Sequence, residues 1–173
     1  MCDLETGGLD EKTHAIVQVA FILFNNERRE IMRFSAIVRE LLFHVDEEAL
    51  RINGVQRADI ETAVSASIVL DYLKELTNTG VIWVFHNAPF DVGFLNKRGF
   101  NITRAIDTLS LDKQIRPHAH SHKLSAACEA HDIPVANAHN ALGDSVMCAN
   151  LWKKCIKILG QKALIAEEVK ENK

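Results

Sequence analysis

The chain carries no CxxC pair, and its longest apolar run, Ala15 to Phe24, falls well short of the roughly 20 residues that a membrane helix needs. Four cysteines, Cys2, Cys128, Cys148 and Cys155, lack zinc-type spacing, and no leader precedes Asp3. They read as reduced thiols of a soluble, cytoplasmic protein without a membrane partner. Charge of one sign is also scarce. A net charge of −3 excludes a global attraction to polyanions, so a nucleic acid has to be held by local basic groups or by metal. Repeats, low-complexity tracts and interdomain linkers are missing. With 47% hydrophobic residues among 173, the chain is expected to form one domain over residues 1–159, followed by a polar tail over 160–173.

Hydrophobic patterning orders the elements. A Val-, Ile- and Phe-rich stretch from His14 to Phe24, the turn signal Asn25-Asn26-Glu27 and an extended run from Ile31 to Val38 predict, with Met1 to Thr6, a three-stranded antiparallel meander. Only Met1 and Cys2 precede Asp3, so a short first strand is expected. Asp46 to Ile52 opens on acidic residues and ends at Asn53-Gly54, as a capped helix does, and Asp59 to Leu76 reads as one longer helix. Val81 to Phe85 has the length of a strand buried on both faces. A helix from Pro89 follows, then a strand over Arg104–Thr108 and helices over Ser110–Ile115 and Lys123–His131, with Asp107 as a cap. From Ala141 to Leu159, the residues Leu142, Val146, Ala149, Trp152, Ile156 and Leu159 recur at three- and four-residue steps, predicting a helix with one buried stripe. This order indicates an α/β fold, a mixed sheet covered by helices.

Asp3 and Glu5, two apart on an expected strand, project from one face. Two adjacent anions persist there when a cation holds them, and oxygen-only donors suit Mg²⁺ or Mn²⁺ better than Zn²⁺. Further acidic residues stand in His86-Asn87-Ala88-Pro89-Phe90-Asp91 and His139-Asn140-Ala141-Leu142-Gly143-Asp144. Each carboxylate alone is an ordinary solvated charge, whereas three acidic segments meeting at one point make a two-metal hydrolytic site. Six basic residues from Lys97 to Lys123 are either a solvated face or a phosphate-tracking surface. His118-Ala119-His120-Ser121-His122 is a polar loop, or, if extended, alternating imidazoles for a transition metal. Phe90 and Phe94, four apart on a helix, belong to the core.

Taken in order, Asp-x-Glu-Thr on the first strand, His-Asn-Ala-Pro-Phe-Asp after a buried strand and His-x4-Asp opening the last helix closely resemble the DEDDh (DnaQ-like) branch of the 3′-to-5′ exonucleases, its phage-type and proofreading members above all. The resemblance implies a ribonuclease H-like fold: a mixed five-stranded sheet, three antiparallel strands plus parallel ones, flanked by helices, with residues 1–159 as the exonuclease domain. It implies hydrolysis of phosphodiester bonds at nucleic-acid 3′ ends with release of nucleoside 5′-monophosphates. Asp3, Glu5, Asp91 and Asp144 would hold two divalent cations, Mg²⁺ or Mn²⁺, and His139 would serve as general base. Thr6, Gly7, Leu9, Ile52, Asn53 and Asn87 are the expected substrate-binding residues, Asn53 standing where the family often has histidine. The implied partner is nucleic acid with a free 3′ end, DNA slightly ahead of RNA, with a polymerase or a second copy of the chain as further partners. A competing reading keeps the fold and loses turnover, leaving a nucleic-acid-binding or polymerase-associated module.

Overall fold

The computed structural model describes residues 1–78, 80–135 and 140–169; His139 and the last four residues of the expected tail lie outside them. Strand β1 (Cys2–Thr6) alternates buried and half-buried side chains, as a strand with one face in a core does. Cys2 and Leu4 enter a cluster with Ile16, Val19, Phe85 and Val92, while Met1 packs on the opposite side against Met147, Leu151 and Trp152. By the same alternation Asp3 and Glu5 share the Met1 face. β2 (Ile16–Phe24) pairs antiparallel with β1 and with β3 (Glu30–Arg39). The turn between β2 and β3 is closed by Asn25, whose Oδ1 accepts from the N–H groups of Glu27 and Arg29.

After α1 (Glu47–Asn53) the expected long helix is interrupted. α2 (Arg57–Thr62) and α3 (Ala66–Thr77) are separated by β4 (Val64–Ser65), which pairs parallel with Val38 and Arg39 of β3. Thr62 turns its hydroxyl back onto the carbonyls of Ala58 and Asp59, and β-branched Val64 finds a strand partner, so tertiary pairing overrides the helical period. β5 is confined to Val84–Phe85 and is followed by α4 (Ala88–Lys97), β6 (Arg104–Asp107), α5 (Thr108–Ile115) and α6 (Leu124–Ala130). Asp107 caps α5, accepting from the Leu109 N–H at 3.1 Å. α7 (Ala141–Leu159), a 3₁₀ turn (Gly160–Leu164) and β7 (Glu167–Glu168) complete the order.

The single five-stranded sheet expected from the sequence does not form. The strands divide into a four-stranded sheet, β1-β2-β3-β4, and a three-stranded one, β5-β6-β7, in which β5 and β6 are parallel and β7 is antiparallel to β6. β1 lies beside β5. Met1 exchanges backbone hydrogen bonds with Ile22, so odd-numbered residues of β1 bond to β2 and the Leu4 N–H faces away from it. That N–H donates to Asp91 Oδ1 at 3.0 Å. A side-chain carboxylate therefore takes a bond that a β1–β5 ladder would use, and the same bond draws the first turn of α4 toward β1.

The buried stripe of α7 is also rotated from the expected one. Ala141, Ser145, Cys148, Trp152 and Cys155 are buried, with Met147, Ala149 and Leu151 beside them, whereas Leu142, Val146, Ile156 and Leu159 sit half-buried on the flank. Small side chains on the inner face let the helix approach β1, β2 and β3, against which it packs. No helix among the described residues is long and apolar enough to cross a membrane.

Candidate active site

Carboxylate oxygens of Asp3, Glu5 and Asp144 lie within 4.8 Å of one another. The first two are brought together by strand alternation, the third by the first turn of α7. Among the described residues no other three His, Cys, Asp or Glu side chains bring one ligand atom each that close together. Asp91, 4% exposed, joins from the first turn of α4, anchored through Leu4. Both helical carboxylates occupy positions where the helix dipole favours an anion.

Burial, and after it the charges of Asp91, Asp144 and Glu5, push the Asp3 carboxyl well above the usual carboxylate range. Glu5 is pushed up to about 8 by burial and by Asp144. Asp91 is raised by burial, with the Leu4 N–H opposing the shift. Carboxylates this close do not all ionise without a counter-charge. The donors are all oxygen, so the set fits hard divalent cations of the Mg²⁺ or Mn²⁺ kind.

The sign of the resulting pH dependence follows from linkage. Between its ordinary value of 4.5 and about 8, Glu5 binds more protons in the folded than in the unfolded chain, so metal-free stability falls as pH rises through that window. Thermal melts in chelator should show a lower Tm at pH 8 than at pH 5.5, by on the order of 5 °C, and saturating Mn²⁺ should recover most of it at pH 8. A metal-free Tm that climbs with pH would contradict the clustering of these carboxylates.

The surroundings tie loops more than they present polar groups. Thr6 is 8% exposed and donates its hydroxyl to the Gly8 carbonyl at 2.7 Å. Gly7 is held between Ala15 and Asp46 by its backbone, and a Cβ there would stand 2.8 Å from the His44 carbonyl oxygen, so only glycine fits. Asn53 is buried; its Nδ2 donates to the Thr6 carbonyl and its Oδ1 accepts from the Val55 N–H. Leu9 and Ile52 are exposed. Asn87 is exposed, adopts φ 70° and uses its side chain for no cap, while its N–H donates to Asp107 Oδ1. His86 bridges Thr108 Oγ1 and the His122 carbonyl at 2.9 Å each, a loop-tying arrangement.

Of the basic run, two guanidiniums point inward. Arg98 forks onto Glu40, donates to the carbonyls of Glu11 and His14 and stacks 4.2 Å from the Phe43 ring centroid. Arg116 forks onto Asp112, which also holds His122 and His131. The histidine run is therefore partly consumed by an internal carboxylate. Phe90 and Phe94 pack with centroids 5.1 Å apart and their rings tilted by 47°, Phe94 fully buried in the core.

Residues 1–152 match the profile of the RNase T type described as Exonuclease. The chain belongs to this exonuclease family. Among relatives of the exonuclease-family chain, the PolC-type DNA polymerase III of Bacillus subtilis (strain 168) is 27% identical over 180 residues, covering 98% of this chain and 12% of the polymerase. The 3′-5′ exonuclease DinG of Staphylococcus haemolyticus is 30% identical over 162 residues, covering 90% and 18%. The chain thus spans less than a fifth of the length of these relatives. In fold it is similar to the nuclease domain of 3′hExo, a DEDDh family member solved with bound rAMP, at a TM-score of 0.75 and 15% identity over 99% of this chain and 96% of that one.

In this exonuclease-family chain Asp3, Glu5 and Asp144 come together from two segments, Asp91 lies near enough to Asp3 to raise its carboxyl, and His139 lies outside the described residues. Two groups were missed in the sequence: Gln18, which bonds the start of α7, and the Arg98–Glu40 pair, which braces the loop after β1. A lone glutamine inside the apolar run Ile16–Phe24 was the available signal for the first. Nothing in the sequence marks the second, because its partners lie 58 residues apart.

Proposed function

We propose that the chain is a 3′-to-5′ exonuclease domain that hydrolyses the terminal phosphodiester bond of nucleic acid and releases nucleoside 5′-monophosphates. The approach of the Asp3, Glu5 and Asp144 oxygens within 4.8 Å carries the reading. After burial, the Asp3 carboxyl is raised by Asp91, Asp144 and Glu5, so Asp3, with Glu5 and Asp144 on one side and Asp91 on the other, would be the residue to share in holding two divalent cations. Held by these carboxylates, divalent cations would supply charge stabilisation to the phosphoryl group and the departing 3′ oxygen. His139, five residues before Asp144 in the sequence, takes the proton of the attacking water. Leu9 and Ile52 offer apolar surface to the terminal base. Gly7 and Asn53 fix the loop after β1 that carries Leu9.

DNA is favoured over RNA because the sequence relatives include a DNA polymerase III, and that kinship puts a polymerase first among protein partners. The test is digestion of 5′-labelled DNA and RNA strands carrying either a 3′-hydroxyl or a 3′-phosphate, with a circular single strand alongside, in Mg²⁺, in Mn²⁺ and in chelator. Stepwise shortening of the 3′-hydroxyl strands in metal, none in chelator and strong inhibition by the 3′-phosphate are expected. Cutting of the circle would overturn the proposal.

A further inference from the structure

The first N–H groups of a helix have no partner within it. Ala141, first in α7, is fully buried, so water cannot serve its N–H. It donates instead to Oε1 of Gln18, 3.1 Å away and 123 residues earlier in the chain. Gln18 is 7% exposed, placed opposite Glu5 of β1 and Ile37 of β3. Its Nε2 donates to Ser35 Oγ at 3.3 Å. Burying an amide among apolar neighbours is costly unless both ends are bonded, and here both are. Asn140 supplies the local cap, its Oδ1 accepting from the Gly143 N–H at 3.3 Å and its carbonyl accepting from the Asp144 N–H at 2.9 Å. The cap shapes the first turn of the helix. Gln18 ties that turn to the sheet through its side chain, and directly opposite cross-strand partners share a face, so it does so beside Glu5.

We propose that Gln18 is a positioning residue: it docks the start of α7 on β2 and thereby holds the Asp144 carboxylate against Asp3 and Glu5. The proposal rests on the reading of that cluster as a cation site. A carboxylate in the first turn moves with its helix, and a helix start released from the sheet spreads a cluster whose oxygens otherwise lie within 4.8 Å. Preorganisation of this kind is sensitive to displacements of an ångström.

The experiment compares Gln18→Met, which removes the acceptor at similar length, with Gln18→Glu, which keeps an acceptor in either protonation state, and with Ser35→Ala, which removes only the second partner. Three quantities are read: hydrogen exchange of the Ala141 amide in metal-free protein, Mn²⁺ affinity by titration, and kcat and KM on a labelled oligonucleotide. In Gln18→Met the Ala141 amide should exchange roughly tenfold faster. Mn²⁺ affinity should weaken about tenfold, and kcat should fall about 10²-fold with KM within about twofold of wild type. Gln18→Glu should keep the amide protection and most of the turnover, and Ser35→Ala should match wild type. If Gln18→Met does not fold, Gln18→Asn, one methylene shorter, takes its place in the comparison. Unchanged Ala141 exchange or unchanged Mn²⁺ affinity in the acceptor-less variant overturns the proposal, as does an equal loss in Gln18→Glu. An inactive wild-type protein would count against the exonuclease reading alone, because the exchange and Mn²⁺ measurements do not depend on turnover.

Discussion

Asp3→Asn should abolish hydrolysis and at the same time raise the melting temperature of the metal-free protein at pH 8. After burial, the Asp3 carboxyl is raised by Asp91, Asp144 and Glu5, so its loss would remove the anchor that the proposed two-cation site shares. Charge stabilisation by such ions is worth several kcal/mol in the transition state, which corresponds to a fall of at least about 10³-fold in kcat. Without metal the same carboxyl either stays protonated, at a cost that grows with pH, or ionises among other anions, and a neutral amide of equal shape avoids both. A gain of a few degrees is expected, since about 1 kcal/mol moves Tm by roughly 2–4 °C in a chain of this size. The sign is pH-dependent. The folded-state pKa of Asp3 is raised, so the penalty is absent below the ordinary carboxylate range, where the group is protonated in both states, and grows as pH rises through the shifted value. The gain from Asp3→Asn should therefore vanish near pH 4. A variant that melts lower than wild type in chelator at pH 8 would assign Asp3 a structural role.

His139→Ala should lower kcat by about 10²- to 10⁴-fold, the usual range for loss of a general base, while leaving Mn²⁺ affinity close to wild type. His139 is proposed to move a proton, whereas Asp3 is proposed to hold cations. The wild-type rate should rise with pH through the imidazole range, and that low-pH limb should disappear in the variant, whose residual activity recovers partly at high pH as hydroxide becomes available. Persistence of the same limb in His139→Ala would assign the titration to another group, and a parallel loss of Mn²⁺ binding would make His139 a ligand.

What the residues alone determined was the chemistry. Carboxylates two apart on a strand must share a face, and a residue just after a helix start must stand in its first turn, so Asp3, Glu5, Asp91 and Asp144 could be assigned positions before their neighbours were known. The meander, Asn25 at its turn, Asp107 as a cap and the bounds of α7 follow from equally local rules. Other features depend on partners distant in sequence. The break at Ala63–Ser65 comes with the pairing of Val64 and Val38, and the Leu4 N–H on the side of β1 away from β2 is taken by Asp91, 87 residues on. The inner face of α7 sets small Ala141, Ser145 and Cys148 together with Met147, Leu151 and Trp152, while Leu142, Val146 and Ile156 are left half-buried. Asn53, Arg98 and Arg116 show the same limit in their polar groups. Each has the chemistry to meet a substrate, yet tertiary contacts turn all three onto internal partners, because a buried carbonyl or carboxylate left without a donor costs more than a surface contact returns. Periodicity and capping are properties of neighbouring residues and can be read from them. Sheet closure, helix rotation and the direction of long polar side chains are settled by burial, which exists only once the chain has folded.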